Sequence, residues 1–251
     1  MSDSTNAINA FAVRLAAIQA RIDIACRRAG RSSADVALLP VSKTFGTELI
    51  RDAAACGLRR FGESRMQEVR EKAGQLTDCP VDWVVIGHLQ TNKAKDAAAL
   101  AAEVQSLDRL DLAQALDRRL SAEGRVLDVL VQVKTSDEPS KFGLDGAALP
   151  DFLRTLAADY PSLRVRGLMT LAVNSDDEQA VRACFRRLRT LRDAARADGL
   201  VADAWRTAGD QGGLDRLSMG MSGDFELAIE EGSTEVRIGS ALFGARDYSA
   251  T

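Results

Sequence analysis

Histidine is almost absent from this sequence: His88 is the only one among 251 residues. A histidine metal centre needs several imidazoles, and Ser–His or Cys–His catalysis needs an imidazole beside its nucleophile. A single loop histidine is more often structural than catalytic, and we interpret His88 in that way. The scarcity therefore nearly excludes histidine metal sites and hydrolase dyads or triads.

Cysteine is sparse as well, and no CxxC pair occurs. The four positions are scattered along the chain: Cys26, Cys56, Cys79 and Cys184. This spacing indicates free thiols in a cytoplasmic protein rather than disulfides or a metal site. The sequence also lacks an apolar run long enough to span a membrane, and its start, MSDSTNAINAF, lacks the pattern of a signal peptide. We therefore expect a cytoplasmic location and no membrane partner.

Neither sign of charge dominates, because 33 basic and 36 acidic side chains give a net charge of −3. The charges are mixed, with no basic stripe of the kind that binds nucleic acid and no acidic block typical of disordered arms. Hydrophobic residues make up 46% of the sequence, which is typical of a globular protein with a sizeable core. We expect no nucleic-acid partner.

Short apolar runs alternate with longer amphipathic stretches along the chain. A helical pattern at 7–28 ends before Gly30. The apolar runs predict strands at 36–42, 58–62, 82–87, 103–108, 127–133, 164–171, 215–220 and 234–239. The stretches between them predict helices at about 46–56, 64–76, 91–101, 109–123, 146–159, 176–198 and 222–231, some with capping residues such as Thr44.

Strands that are each followed by one helix favour a parallel sheet. Eight such strands in a chain of about 250 residues favour a closed barrel over an open doubly wound sheet. The predicted fold is therefore α/β, a single (β/α)8 TIM barrel with an extra N-terminal helix. No repeat or low-complexity linker interrupts the pattern, so we expect one domain, residues 1–251, in which about residues 1–30 form a helix packed on the barrel.

Two segments rich in small residues lie where such barrels commonly bind phosphate, after the seventh and eighth strands. They are LSMGMSGD (217–224) and RIGSALFG (237–244). Their glycines and hydroxyl residues allow backbone N–H groups to approach an anion closely, and the helix after strand 7 would aim its positive end at the same place. Found together at the two expected positions, the segments predict a phosphate site.

Lys43 ends the first apolar run, VALLPVSKTFG, and is one of only six lysines against 27 arginines. Alternation puts it on one face with Leu39 and Val41, and barrel closure puts strand 1 beside strand 8. If that face points inward, burial lowers the pKa of the amine, which is the usual state of a lysine that attacks carbonyls. A solvated strand-end lysine explains the position as well, and spacing does not decide between the two.

Arg237 lies on the opposite face of strand 8 from Val236 and Ile238. Valine and isoleucine suit the helix-facing side, so we expect the guanidinium to point into the barrel near its top. A buried charge needs a polar partner. Periodicity leaves a structural ion pair and a ligand contact equally open.

Several longer stretches carry a resemblance to a known family. They are PVSKTF (40–45), RRFGESRMQE (59–68), WVVIGHLQTNKAK (83–95), SLDRLDLAQAL (106–116), VLVQVKTSDEPSKFGL (129–144), RGLMTLA (166–172), LSMGMSGDFELAI (217–229) and GSTEVRIGSALFGARDY (232–248). In these motifs and in their order the sequence resembles the pyridoxal phosphate (PLP) homeostasis proteins, also described as YggS-like or PROSC-like. The fold of that family is similar to the N-terminal barrel of alanine racemase.

The resemblance implies PLP as the cofactor and assigns roles at matched positions. Lys43 resembles the lysine that forms the internal aldimine with PLP, and Arg237 resembles the arginine that faces the pyridine nitrogen. The residues that resemble the phosphate-binding elements are Ser218, Met219, Gly239 and Ser240. The resemblance also implies a part in intracellular PLP homeostasis, extending to delivery of PLP to apo-enzymes, and we expect a monomer.

Three positions depart from the family pattern. Ser64 stands where many members have asparagine, Val84 replaces a common histidine, and His88 replaces a common proline. These changes concern the barrel mouth around strands 2 and 3 rather than the Lys43 site. Lys141, in the loop after strand 5, is interpreted as a solvated lysine, with a transient part in PLP handling as the alternative.

Three functions are compatible with these residues: a PLP carrier that turns over no amino acid, a PLP enzyme such as a racemase, and a cofactor-free barrel that acts on a phosphorylated sugar through a Schiff base. The third function, the cofactor-free barrel, assigns no role to Arg237. A strong PLP electron sink needs an acidic partner at the ring nitrogen, and arginine cannot play that part. Racemases of the related fold work under the same constraint, so this argument weakens the enzyme hypothesis without removing it.

Alanine racemase takes its second acid–base group, a tyrosine, from a second domain. The sequence ends soon after strand 8, so we expect no such domain here. Its two tyrosines are Tyr160, at a predicted helix end, and Tyr248, in the tail, and neither is an obvious substitute. We therefore favour a carrier without catalytic residues and keep a racemase-like PLP enzyme as the alternative.

Overall fold

Strands and helices alternate along the residues that the computed structural model describes, which are 2–136, 138, 142–206 and 213–244. The strands are β1 (Ala37–Pro40), β2 (Arg60–Glu63), β3 (Asp82–Val85), β4 (Ala101–Leu107), β5 (Leu127–Gln132), β6 (Leu163–Met169), β7 (Arg216–Met221) and β8 (Glu235–Ile238). The helices are α1 (Ser2–Arg28), α2 (Thr47–Ala55), α3 (Met66–Gln75), α4 (Ala94–Leu100), α5 (Leu110–Ala122), α6 (Leu149–Asp159), α7 (Glu178–Ala197), α8 (Phe225–Glu230) and α9 (Ser240–Phe243). Over these ranges, no helix combines the length and the apolar character needed to cross a bilayer.

All eight strands run parallel in one sheet, in the order β1-β8-β7-β6-β5-β4-β3-β2. The two ends of this order meet where Val41, just beyond β1, bridges Gly62 of β2, and the Ser42 N–H donates to the Gly62 carbonyl oxygen at 3.0 Å. Glycine suits this junction, because a Cβ at position 62 would lie 3.3 Å from Val41 Cγ2. The sheet therefore closes into a barrel surrounded by helices, which confirms the predicted (β/α)8 fold.

The differences from the predicted elements lie at their ends. α1 begins at Ser2 rather than at residue 7, and β4 begins at Ala101, which the pattern placed in the preceding helix. Alanine does not distinguish the end of a helix from the start of a buried strand. Thr44 does not cap α2, because the helix begins at Thr47 and Thr44 itself has a φ of +69°.

α1 packs against α2, α8 and α9. Phe11 of α1 is buried and contacts Phe243 of α9, with ring centroids 5.5 Å apart. Phe243 in turn contacts Phe45, in the loop after β1, with centroids 5.2 Å apart. The N-terminal helix therefore supports the loops that follow β1 and β8, at the C-terminal end of the barrel.

Charged side chains fill part of the barrel interior. Glu235 of β8 is fully buried and accepts hydrogen bonds from Arg60 at 2.8 Å, from Arg216 at 2.6 Å and from Gln105. Both arginines also donate to Glu103. Burial alone would raise the pKa of Glu235, but the positive charges of Arg216 and Arg60 hold it below its ordinary value. The interior charges are thus paired, which is the condition for burying them.

Replacing Glu235 by alanine should lower the free energy of unfolding by about 3–5 kcal/mol, because Arg60 and Arg216 lose a buried partner. Urea unfolding followed by circular dichroism measures this change. Glu123→Ala is the control, since Glu123 is half exposed and lies 3.6 Å from Arg125. The control should stay within about 0.5 kcal/mol of wild type. Equal stabilities for the two variants would contradict a structural role for the buried network.

Candidate functional site

A cleft of about 460 Å³ opens at the C-terminal ends of the strands. Its wall comes from residues at or just after the ends of β1, β2, β3, β6, β7 and β8. Ligand pockets in proteins usually enclose about 300–1,000 Å³, so the cleft has the size of a small-molecule site. The end of the barrel at which it lies is the end where such folds carry their chemistry.

Lys43 lines this cleft and is half-buried, in the turn that leaves β1. The end of the strand is fixed beside β8, because the Val41 N–H donates to the Ile238 carbonyl oxygen at 2.8 Å. The Phe45 N–H then donates to the Ser42 carbonyl oxygen at 3.0 Å, which closes a four-residue turn around Lys43. The lysine therefore stands where the first and last strands meet, as the barrel argument predicted.

Arg237 points into the barrel, also lines the cleft, and is only 3% exposed. Its Nη1 donates to Ser218 Oγ at 2.8 Å, and its Nη2 donates to the Thr170 carbonyl oxygen at 2.7 Å. Burial lowers the pKa of Arg237 to about 10, an effect that the charges of Glu235 and Asp224 oppose. The guanidinium is therefore charged at neutral pH. In the described part of the chain its hydrogen-bond partners are neutral oxygens, not carboxylates.

Ser218 and Met219 do not line the cleft, although the family resemblance placed them among the phosphate-binding elements. Both are fully buried in β7. The Ser218 hydroxyl is already used, because it accepts from Arg237 and donates to Gln105 Oε1 at 2.7 Å. The structure thus puts Ser218 beneath Arg237, where it holds the guanidinium.

A bulge in β7 explains this placement. β7 pairs with β8 at Ser218 and again at Met221, with a register shift between the two positions. Gly220 lies within the shift at a φ of +99°, and a Cβ there would lie 2.6 Å from Ala228 Cβ in α8. Because the bulge redirects the strand, Met221 rather than Met219 reaches the cleft.

The loops after β7 and β8 form one wall of the cleft. The first contributes Met221, Ser222, Gly223 and Asp224, and the second contributes Gly239 and Ser240. Asp224 Oδ1 accepts from the Met221 N–H at 2.6 Å, which closes the first loop. Burial raises the pKa of Asp224, and the Met221 N–H and the Arg237 charge oppose that rise. Gly239 and Ser240 lie where the sequence placed them, and their contact with a phosphate stays a prediction.

Of the three positions that depart from the family pattern, Ser64 lines the cleft and Val84 is buried in β3. His88 lies outside the cleft wall, with its ring stacked on Phe142 at a centroid distance of 4.1 Å. That environment agrees with the predicted structural role of the histidine. Lys141 lies outside the described residues.

The loop after β6 contributes residues 171–174 to the wall, and the sequence analysis assigned no site residue there. The signal available was the family-like stretch 166–172, which ends in this loop. Met221 and Asp224 belong to the segment 217–224 that the sequence predicts to bind phosphate, but neither was singled out. Gly220 was a usable signal for Met221, since a glycine inside a strand often marks a bulge. Within the ranges given above, no group of three or more His, Cys, Asp or Glu side chains is placed to hold a metal ion.

Comparison with known sequences gives one consistent result. The family model described as alanine racemase, N-terminal domain, matches residues 13–247. The pyridoxal phosphate homeostasis protein of Pseudomonas aeruginosa is 43% identical over 243 residues, which cover 97% of this chain and 99% of that protein. The protein of the same name from Aquifex aeolicus is 41% identical over 235 residues, covering 94% of this chain and 98% of that protein.

Comparison with solved structures points to the same family as comparison with sequences. PipY of Synechococcus elongatus, in a structure with PLP bound, has a TM-score of 0.77 and 33% identity, and the match covers 93% of this chain and all of PipY. Alanine racemase of Clostridium difficile is 12% identical with a TM-score of 0.73, and the match covers 96% of this chain and 58% of that enzyme. The second likeness concerns the fold alone. With its barrel, its cleft and these relatives, the chain belongs to the pyridoxal phosphate homeostasis proteins, within the alanine racemase N-terminal domain family.

Proposed function

We propose that this chain binds PLP covalently through Lys43 and takes part in intracellular PLP homeostasis without turning over an amino acid. The observation that carries the proposal is the convergence of Lys43, Arg237 and the loops after β7 and β8 on one cleft. PipY, a relative 33% identical in sequence, has been solved with PLP bound. The homeostasis proteins of Pseudomonas aeruginosa and Aquifex aeolicus support the cellular role.

The groups in the cleft fit the chemistry of PLP. The cofactor supplies an aldehyde, which bonds to a primary amine as C=N with loss of one water molecule. Lys43 contributes the amine. The small residues of the two loops, Gly223, Gly239 and Ser240 among them, leave room for backbone N–H groups to approach a phosphate. Since Ser218 and Met219 lie beneath the cleft, we propose Met221 and Ser222 in place of those two as phosphate neighbours.

Arg237 is the group that we propose faces the pyridine nitrogen. Its guanidinium is charged at neutral pH, so it can donate a hydrogen bond but cannot accept the ring proton. It is also fixed in direction by Ser218 and Thr170. The residue therefore favours an unprotonated ring, which is a weak electron sink and suits storage of the cofactor better than carbanion chemistry.

A carrier function is favoured over a racemase by the composition of the cleft. Over the described residues its wall contains neither tyrosine nor histidine that could act as a second base opposite Lys43. Tyr160 caps the end of α6 and does not line the cleft, and Tyr248 lies outside the described residues. A racemase-like PLP enzyme remains the alternative candidate, favoured by the shared barrel fold.

We propose that the protein acts as a monomer in the cytoplasm, where its four free thiols would stay reduced. PLP-dependent apo-enzymes are the proposed recipients of the cofactor. A single barrel carries the whole proposed site, which supports one domain over residues 1–251.

Lys43→Ala should abolish the visible absorbance band that forms when purified protein is mixed with PLP, because the described cleft wall then contains no amine to bond to the aldehyde. The far-ultraviolet circular dichroism spectrum should not change, since Lys43 is half-buried and lies in a turn. Lys93→Ala, at the start of the helical segment before β4, is the control and should keep the band. A visible band of undiminished strength in Lys43→Ala would contradict the assignment.

Arg237→Glu should change the absorbance spectrum of bound PLP, because a carboxylate favours protonation of the ring nitrogen. Arg237→Gln removes the charge without supplying an acid and separates the two effects. Because position 237 is buried, the spectra are compared only after both variants are shown to be folded. The criterion is a thermal unfolding midpoint within a few degrees of that of wild type. A spectrum of Arg237→Glu identical to that of wild type would count against contact between Arg237 and the ring.

PLP-saturated protein should show no saturable racemase or transaminase turnover with common amino acids, because the described cleft lacks a second acid–base group. Chiral chromatography of amino acids after incubation measures racemisation. The control is Lys43→Ala, which gives the background of free PLP. Turnover that saturates with substrate and disappears in the control would favour the enzyme alternative.

A further inference from the structure

Three charged side chains meet behind the turn that carries Lys43, outside the cleft wall. They are Glu63, at the end of β2, and Glu68 and Lys72 of α3, and we call them the α3 cluster. Lys72 Nζ lies 2.7 Å from Glu63 Oε1 and 3.3 Å from Glu68 Oε2. Lys72 and Glu63 are buried, and Glu68 is half-buried. None of the three lines the cleft, so none belongs to the binding site itself.

The α3 cluster holds the chain on both sides of Lys43. Before the lysine, the Ser42 carbonyl oxygen accepts from Lys72 Nζ at 2.9 Å, and the Ser42 hydroxyl donates to Glu63 Oε1 at 2.7 Å. After the lysine, the Thr44 N–H donates to Glu68 Oε2 at 2.9 Å. Bonds to charged groups are among the stronger hydrogen bonds in proteins. The two neighbours of Lys43, Ser42 and Thr44, are thus both bonded to side chains of α3, and Ser42 is bonded to β2 as well.

The backbone at Thr44 is strained, so the turn needs contacts that keep it in this conformation. Its φ of +69° lies in the left-handed region, where a β-branched residue is a clear outlier. Such strain persists where the surroundings over-determine the conformation. The Thr44 side chain is exposed, so its own burial does not explain the strain. Two hydrogen bonds hold this conformation: the Thr44 N–H donates to Glu68, and the Phe45 N–H donates to the Ser42 carbonyl oxygen.

Packing alone does not account for a charged cluster at this place. Burial raises the pKa of Glu63, against the effects of Lys72 and Ser42, and among the described residues Glu63 Oε2 has no hydrogen-bond partner. Apolar side chains of similar size usually fill such a space at a lower cost in free energy. Charged groups do what apolar packing cannot, because each of their hydrogen bonds fixes the position of one polar group of the turn. These are the Ser42 carbonyl oxygen, the Ser42 hydroxyl and the Thr44 N–H.

We propose that Glu68 is a positioning residue, held in place by Lys72, which is itself paired with Glu63, and that it fixes the turn so that the Lys43 amine is presented to the cleft. This inference rests on the proposed function of Lys43 in binding PLP. Glu68 does not touch the ligand. Glu68 acts through the Thr44 N–H. Without Glu68 the turn would adopt several conformations, and the Lys43 amine would have the geometry for attack on the aldehyde less often.

Two substitutions of Glu68 separate the effect of its side-chain length from the effect of its charge. Glu68→Gln keeps the length and an acceptor oxygen but loses the charge, whereas Glu68→Asp keeps the charge but is one methylene too short to reach the Thr44 N–H. Glu68→Ala loses both. Glu71→Ala is the matched control on the same helix, because Glu71 is exposed and its hydrogen-bond partner, at 2.9 Å, is Gln67.

Two measurements on the full chain read out the effect. The first is the rate at which the visible band forms on mixing with PLP, which should fall roughly ten- to hundredfold in Glu68→Asp and Glu68→Ala. The second is hydrogen exchange of the Thr44 amide in the protein without PLP, which should become faster in the same two variants. Glu68→Gln should stay within about threefold of wild type in both, as expected for a retained acceptor, and Glu71→Ala should match wild type.

The pattern across the variants distinguishes positioning from general stability. Rates and exchange in Glu68→Asp equal to those of wild type would overturn the inference, as would a Glu68→Gln variant as slow as Glu68→Ala. Should Glu68→Ala fail to fold, the comparison of Asp with Gln decides alone. If wild type forms no band with PLP, the proposed function fails, and exchange of the Thr44 amide still decides whether Glu68 holds the turn.

Discussion

The buried guanidinium of Arg237 is the constraint on which the arrangement of the cleft depends. A charge that is 3% exposed must be supplied with acceptors, and here they are the Ser218 hydroxyl and the Thr170 carbonyl oxygen. Ser218 is oriented in turn by Gln105, whose amide donates to Glu103 and Glu235. One chain of hydrogen bonds therefore runs from the ion pairs inside the barrel to the floor of the cleft.

The cleft also depends on the place where the barrel closes. Val41 contacts β8 on one side and β2 on the other, so the turn that follows it lies between the last strand and the second. α1 adds support from outside, through the contacts among Phe11, Phe243 and Phe45. The α3 cluster supports the same turn from the side of β2. The turn that carries Lys43 is therefore held by β8, by β2 and α3, and by the aromatic contacts of α1 and α9.

Much of this architecture could be predicted from the sequence, because it follows from periodicity. Alternation on strand 8 was enough to direct Arg237 inward, and barrel closure was enough to put Lys43 beside the loop that follows strand 8. The resemblance, not alternation, assigned Ser218 and Met219 to phosphate binding. A register shift around Gly220 brings Met221 to the cleft instead, and a glycine in a strand indicates a bulge without giving the new register. The α3 cluster was also missed, since its partners are up to thirty positions apart in sequence, from Ser42 to Lys72, and meet only when β2 pairs beside β1.

The most direct test of the account is the site of covalent attachment. Protein mixed with PLP, reduced with borohydride and digested should yield one pyridoxyl-labelled peptide, and fragmentation in the mass spectrometer should locate the label on Lys43. A label found only on other lysines, such as Lys72, Lys93 or Lys95, would contradict the claim that the junction of the first and last strands holds the reactive amine.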